Sequence, residues 1–510
     1  MKHIKQMTVL LLFVAFAGCA KIDEKFSDSL VRSSASSVTA ADILKNIYEG
    51  DIRNFMNQDN LWAIQEHTTD ECVGPTRGGD WDDNGIWRVL HQHTWDANHN
   101  YVRGAFENLG RVVYNATEVL GKSPNAQQDA EARFLRAYAN FHLVEGWNQV
   151  PYREPGGDPL AIPEVRVGTE ALEYVITELE AIKAALPDGP VNVANKNACR
   201  ALLMKAYLTK AVVANRTTPV HQAADMNKVI ALADEVIASG KTLSTNFYHN
   251  FAPNNDALST ENLFTGINYG GSSSGGVRSR YFCSLHYNQT PSGWNGFTTL
   301  SDFYDSFEDA DVRKSTTLPG FTDQVGTKAG FNVGQVRGPQ GQRIGNPLVD
   351  LKDRSNNPLV FTRNVSIFFN GEASGIRTNK FPLNPSTIND GGWGSANDFV
   401  FLRVSDVRLM KAEAALRGGT SAETPLAIVN DIRTKRSASV LASVTLNTLI
   451  AERGRELYLE GWRRNDMIRF GIFNSPVQER PNASEGYKVV FPLPNIALSS
   501  NPNLKQNFGY

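Results

Sequence analysis

Apolar residues recur with a helical period over six long segments, 39–56, 98–121, 125–146, 169–186, 195–214 and 221–240, and several of these stop at Gly or Pro, as helices do. Between 241 and 397 the pattern breaks. Gly, Ser, Asn, Pro and aromatic residues dominate there, so loops, short helices and a few strands are expected, one of them over 359–369. Periodicity returns at 403–413 and again at 449–471, where Ile450, Leu457, Gly461 and Ile468 mark one face of what reads as a single long helix. The run 489–510 carries prolines at 492, 494 and 502 and should lie extended along the rest.

Three helical segments share a short pattern: Phe134-Leu135-Arg136-Ala137-Tyr138, Leu203-Met204-Lys205-Ala206-Tyr207 and Leu409-Met410-Lys411-Ala412-Glu413. The first two are 69 positions apart, near twice the 34-residue period of tetratricopeptide repeats. Helix pairs of that kind bury their faces only by stacking, and the recurring Ala permits close approach. The expected fold is therefore mainly α, with stacked tetratricopeptide-like helix pairs and a large irregular insertion of loops and short strands. That insertion separates the second copy from the third, and an interruption of this size in a rigid scaffold is a common place for a binding site.

Within 449–471, Glu452, Glu456 and Glu460 form an acidic row four residues apart, with Arg455, Arg463 and Arg464 three or four positions from them. On a generic helix this would be a solvated face laced with weak ion pairs. Tyr458, Trp462 and a mid-helix Gly461 point instead to a crowded face, because Gly in a helix interior costs about 1 kcal/mol relative to Ala.

With 41% hydrophobic and 20% charged residues among 510, the chain can bury a full core, and a net charge of -2 with no basic stripe excludes the usual nucleic-acid binder. The N-terminus changes the picture more. Lys2, His3 and Lys5 precede an apolar run from Met7 to Ala17 that is too short to span a bilayer, and it ends at Ala17-Gly18-Cys19. This reads as a lipoprotein signal peptide over 1–18, with Phe16 where Leu is usual. Cys19 would be the lipidated first residue and the polar stretch 19–38 a tether. The remaining cysteines, Cys72, Cys199 and Cys283, are odd in number and lack CxxC spacing, so they read as small buried apolar residues with room for one bridge.

Candidate chemistry is sparse. Gly271-Ser272-Ser273-Ser274-Gly275 fits G-x-S-x-G but lacks the strand and helix that a nucleophile elbow needs. His91, His93 and His99 would ligate zinc only if a strand presented the first two together, and surface histidines are the simpler account. Asp80-Trp81-Asp82-Asp83 offers carboxylates beside an aromatic, the material of a glycosidase, but such acidic turns are usually solvated, and EF-hand calcium spacing is absent. More telling are tryptophans in polar, Gly-rich loops: Trp81 and Trp87 in 77–88, Tyr287, Trp294 and Phe297 in 286–297, and Trp393 between glycines. Sugar rings offer C–H faces that stack on indoles and hydroxyls that seek Asp and Asn. The candidate glycan-binding residues are thus Trp81, Trp87, Tyr287 and Trp294, with no catalytic residue, metal or cofactor implied.

Finally, Glu452-Arg453, Arg455-Glu456-Leu457, Glu460-Gly461-Trp462-Arg463-Arg464 and Asp466-Met467-Ile468-Arg469 resemble the signature helix of the SusD/RagB family. Residues 130–137, Val150-Pro151, 403–413, Phe491-Pro492-Leu493-Pro494 and 501–507 resemble further family stretches in the same order. The resemblance spans nearly the whole chain. It implies a helical-repeat region over 39–240, a ligand-binding insertion over 241–397 and a C-terminal region over 398–510 completing the same domain. It also implies a cell-surface, lipid-anchored outer-membrane protein that captures oligosaccharides without catalysis and delivers them to a SusC-like TonB-dependent transporter. A surface glycoside hydrolase would need a carboxylate pair converging in a cleft. A protein-only helical scaffold would lack an exposed aromatic arc.

Overall fold

The computed structural model describes residues 38–78, 80–269, 276–390 and 395–510, and Ala40–Tyr510 forms one compact unit. Its frame is a row of helices: α1 (Asn100–Gly121), α2 (Ala126–Trp147), α3 (Gly168–Ile182), α4 (Lys196–Ala214), α5 (Ala223–Ala238), α6 (Val404–Leu416), α7 (Pro425–Lys435) and α8 (Leu446–Leu457). Side chains fix the starts. Asn125 and Gln128 form a capping box on α2, Asn195 caps α4, and Thr424 caps α7 with Pro425 in its first turn.

Each helix packs on the next, α1 on α2 through to α6 on α7, so α5 meets α6 although the whole insertion lies between them in sequence. One helix pair is thus split, its second member arriving after the insertion. The repeated pentapeptide explains the stacking. Ala137, Ala206 and Ala412 are buried, and the basic residue before each reaches a neighbouring helix: Arg136 Nε to Glu178 at 3.0 Å, Lys205 to Asp406 at 2.6 Å and Lys411 to Asp234 at 2.7 Å.

The stretch 449–471 is not one helix. After α8 the chain turns through 458–462 and resumes as α9 (Arg463–Arg469). Leu459 (φ 59°) and Gly461 (φ 82°) are left-handed, and a Cβ on Gly461 would meet nothing within 4 Å. Gly461 therefore serves the turn rather than a crowded face. The crowded glycine is Gly454, where a Cβ would lie 2.7 Å from Arg463 Nη1. Fixed acceptors hold the turn open: Glu71 takes the Leu459 N–H at 3.0 Å and Glu66 the Gly461 N–H at 2.6 Å.

The acidic row is buried. Glu452 accepts from Arg313 and Arg433, both at 2.7 Å, while Glu456 accepts from Arg313, Arg403 and Arg436 at 2.7–2.9 Å. Glu460 accepts from Lys380 at 2.6 Å and from Arg403 at 2.8 and 2.9 Å. Burial pushes the Glu456 carboxyl up, but Arg436, Arg403 and Arg313 outweigh it and hold it well below the usual range.

The insertion consists of short helices and small antiparallel sheets. Its root is closed by Asn262–Gly266 pairing with Phe399–Arg403, which leads into α6. The strand expected over 359–369 shrinks to Val360–Phe361, paired with Gly334–Gln335. Along the C-terminal run, Phe491 and Leu493 are buried, Asn507 Nδ2 donates to Trp147 O and Phe491 O, and one short helix, Asn495–Ser500, interrupts the extended chain.

Candidate functional site

A tight pairing of Arg77 with Asp80, N–H to O at 2.8 Å both ways, turns the chain so that Trp81 follows with φ 60°. Its indole N–H donates to the Trp294 carbonyl at 2.8 Å, and one residue earlier Asp80 Oδ2 accepts from the Tyr287 hydroxyl at 2.9 Å. Two loops more than two hundred positions apart are thereby joined. The Trp294 loop depends on glycines: a Cβ on Gly293 would lie 2.1 Å from Leu285 O, and one on Gly296 would lie 2.3 Å from the Trp81 indole. Trp294 is 45% exposed, while Trp81 and Tyr287 are half-buried.

Trp87 does not join this surface. At 3% exposure it packs behind Trp81 (centroids 5.7 Å apart) against His67, Tyr101 and Phe297, with its N–H given to Asp83 at 2.8 Å. A ring enclosed in this way has no face for a ligand, so Trp87 supports Trp81 from the core.

Sequence reasoning missed several neighbours. Phe368 (44% exposed) and Phe369 (89%) stand beside Trp81's segment, because Asn370 Nδ2 donates to Thr76 O at 2.9 Å. Two consecutive aromatics followed by Asn-Gly were the signal available: adjacent side chains in extended backbone point to opposite sides, so one of them tends to face out. The Arg354 guanidinium lies 4.1 Å from the Tyr287 ring centroid and is paired with Glu372, which also meets His286 Nε2 at 3.1 Å. Burial lowers the His286 pKa to about 4, so its ring is neutral at pH 7.

The carboxylates around the aromatics are occupied, Asp80 by Tyr287, Asp82 by Arg88, Asp83 by Trp87 and Glu372 by Arg354. His91, His93 and His99, expected at the surface, are buried instead, and bond the carbonyls of Gln478, Thr68 and Ile86. Among the described residues no cluster of three or more His, Cys, Asp or Glu is arranged to hold a metal ion. Cys72, Cys199 and Cys283 are buried free thiols. Cys19, Trp393 and the Gly271–Gly275 loop lie outside the described residues.

The sequence and its helical-repeat frame have counterparts among known proteins. The SusD family profile matches residues 362–510. The starch-binding protein SusD of Bacteroides thetaiotaomicron is 26% identical, over 87% of this chain and 84% of that protein. SusD-like protein P2 of Formosa agariphila is 22% identical over 99% of both chains. Among solved structures, a SusD superfamily protein from Parabacteroides distasonis shares the fold with a TM-score of 0.70 at 18% identity, covering 94% of this chain and 99% of that one. A laminarin-binding SusD-like protein does so with a TM-score of 0.68 at 19% identity, covering 92% and 99%. A matching family profile at its C-terminal end, a SusD relative along most of its length and the shared fold agree that this chain is similar to proteins of the SusD/RagB family.

Proposed function

We propose that this protein is a non-catalytic glycan-binding lipoprotein of the outer cell surface, anchored through Cys19, which captures oligosaccharides and passes them to a SusC-like TonB-dependent transporter. The observation that carries the reading is the joining of Trp81, Tyr287 and Trp294 into one aromatic surface rimmed by Asp80, Arg354 and Glu372. Flat rings offer sugar C–H faces a partner, and the fixed polar groups offer its hydroxyls donors and acceptors. Support comes from the relatives: one is a starch-binding protein, one structural neighbour binds laminarin and another is a surface glycan-binding protein in complex with laminarihexaose. Among the described residues no helix is long and apolar enough to cross a membrane, which is compatible with a lipid anchor.

Stacking of flat rings on aromatic side chains contributes about 1–3 kcal/mol per ring. Two such contacts correspond to an affinity between about tens of millimolar and about tens of micromolar. Calorimetry of the chain beginning after Cys19, against plant and microbial oligosaccharides both neutral and acidic, should give at least one saturable ligand in that range. Folded protein that produces no heat with any member of the panel would overturn the glycan reading.

A further inference from the structure

Beneath the aromatic surface lie two arginines with an unusual set of partners. Arg77 and Arg377 are 5% and 1% exposed, yet among the described residues neither is paired with a carboxylate. Arg77 instead donates to backbone carbonyls on two segments: Nε and Nη2 to Gly296 O at 3.2 Å, and Nη1 to Gly371 O at 2.9 Å. Arg377 Nη2 donates to Asn295 Oδ1 at 2.7 Å and to Glu372 O at 2.8 Å, while Asn295 Nδ2 donates to the same Glu372 carbonyl at 3.1 Å. Burial lowers the pKa of both groups. Charge is costly to bury unpaired, so these side chains are retained against an electrostatic penalty.

We propose that Arg77 and Arg377 are positioning residues for the aromatic surface, two guanidinium staples that hold the Trp81 turn, the Trp294 loop and the Phe369–Glu372 segment in one register. The bonded atoms explain the choice of arginine. Gly296 O is the carbonyl two residues beyond Trp294, on the backbone against which the Trp81 indole lies. Gly371 directly precedes Glu372, whose rim carboxylate pairs with Arg354. A planar fork spreads five N–H groups over two edges, which lets Arg77 reach Gly296 O and Gly371 O on separate segments at once; a lysine ammonium gathers its three donors at one point and is far more strongly hydrated. The Arg77 fork is filled by loop carbonyls, so its charge acts on the protein's own backbone rather than on an anionic ligand, while Arg377 bonds through Nη2 alone and its Nε and Nη1 have no hydrogen-bond partner among the described residues.

This proposal rests on the aromatic surface being the glycan site, and its test has a readout that needs no glycan. The chain is labelled with 5-fluorotryptophan, and the ¹⁹F resonances of Trp81 and Trp294 are assigned with Trp81→Phe and Trp294→Phe. In Arg77→Lys and Arg77→Gln alike, both resonances should shift or broaden without ligand, while the melting temperature stays close to wild type. Affinity for the best oligosaccharide of the panel should fall about tenfold or more, a loss of about 1.4 kcal/mol. Should either substitution prevent folding, Asn295→Ala leaves both guanidinium groups in place, removes one acceptor of Arg377, and should move the Trp294 resonance. Unmoved resonances in the folded variants would overturn the proposal, as would full recovery of binding by Arg77→Lys, which would assign the role to charge. A wild type that binds no glycan, with the resonances shifting as expected, would count against the glycan reading alone.

Discussion

Arg313 and Glu452 stand 139 positions apart in the chain and meet at 2.7 Å with neither side chain reaching solvent. Arg313 also donates to Glu456 at 2.9 Å, where Arg403 and Arg436 converge as well. Assembling such a network costs desolvation, so its net contribution is small, but removing one member leaves the others buried and uncompensated. Glu456→Gln should therefore lower stability by about 3–5 kcal/mol, read from urea or guanidinium midpoints. The sign with pH follows from a folded pKa held below the unfolded one. The stabilisation is present above the unfolded value and lost as pH falls through the folded one. Wild type and variant should converge in acid, and a gap that widens there would contradict the assignment.

The opposite sign applies to Glu66 and Glu71. Burial is the largest cause for both, raising Glu66 to about 7 and Glu71 well above its ordinary value, with the neighbouring Glu66 and Asp70 carboxyls adding to the cost of ionising Glu71. A raised folded pKa gives stability that is complete below the unfolded value and is lost as pH rises through the folded one. Glu71→Gln imitates the neutral acid and keeps an oxygen for the Leu459 N–H. Its melting temperature should match wild type near pH 5 and exceed it near pH 8. A difference independent of pH would show that Glu71 is ionised in the fold.

The crowding that the helical reading placed at Gly461 lies at Gly454. Gly461→Asn should be nearly neutral, because Asn tolerates the left-handed region, whereas Gly461→Leu should cost about 1–2 kcal/mol through backbone strain. Gly454→Ala would press on Arg463 Nη1, which donates to Ile450 O at 3.0 Å, and so push the guanidinium whose Nε and Nη2 hold Asp70 at 2.7 Å; overpacking of this kind typically costs about 1–3 kcal/mol. Denaturation midpoints that rank Gly461→Asn below Gly454→Ala would reverse this reading.

The helices of the repeat were legible because their faces repeat at 3.6 residues and their caps are local: 98–121 against Asn100–Gly121, 125–146 against Ala126–Trp147. The break after Leu457 was not. Leu457 and Ile468 keep helical spacing whether or not the helix continues, and nothing in a leucine announces the positive φ of Leu459. Nor could the acidic row show its burial, since Arg313, Arg403, Arg433 and Arg436 are all distant in sequence or on other helices. The aromatic surface was half legible. Gly-rich surroundings singled out Trp81 and Trp294, but the same surroundings held Trp87, and only packing against His67 and Phe297 separates a core indole from an open one.

The anchor is tested separately from the fold. The Ala17-Gly18-Cys19 ending of the leader leads to the expectation that Cys19→Ala leaves the protein unlipidated and absent from the outer-membrane fraction. Continued incorporation of labelled fatty acid, or unchanged fractionation, would remove Cys19 from that role.

The three tryptophans of the site region should respond differently to truncation, and the differences follow from what each ring touches. Trp294 is nearly half exposed, and only its backbone carbonyl is engaged by Trp81. Trp294→Ala therefore removes a ligand face while leaving that carbonyl available. Binding should be abolished in calorimetry with the melting temperature nearly unchanged. Trp87→Ala opens a cavity among His67, Tyr101 and Phe297 and should cost about 3–5 kcal/mol, with binding retained wherever the protein is still folded. Trp81→Phe keeps a ring over Gly296 but loses the N–H that joins the two loops, so affinity should drop while stability changes little. If Trp294→Ala instead unfolds the protein and Trp87→Ala abolishes binding in a folded one, the ligand lies on the other side of this cluster, and the surface built on Trp294 is not the site.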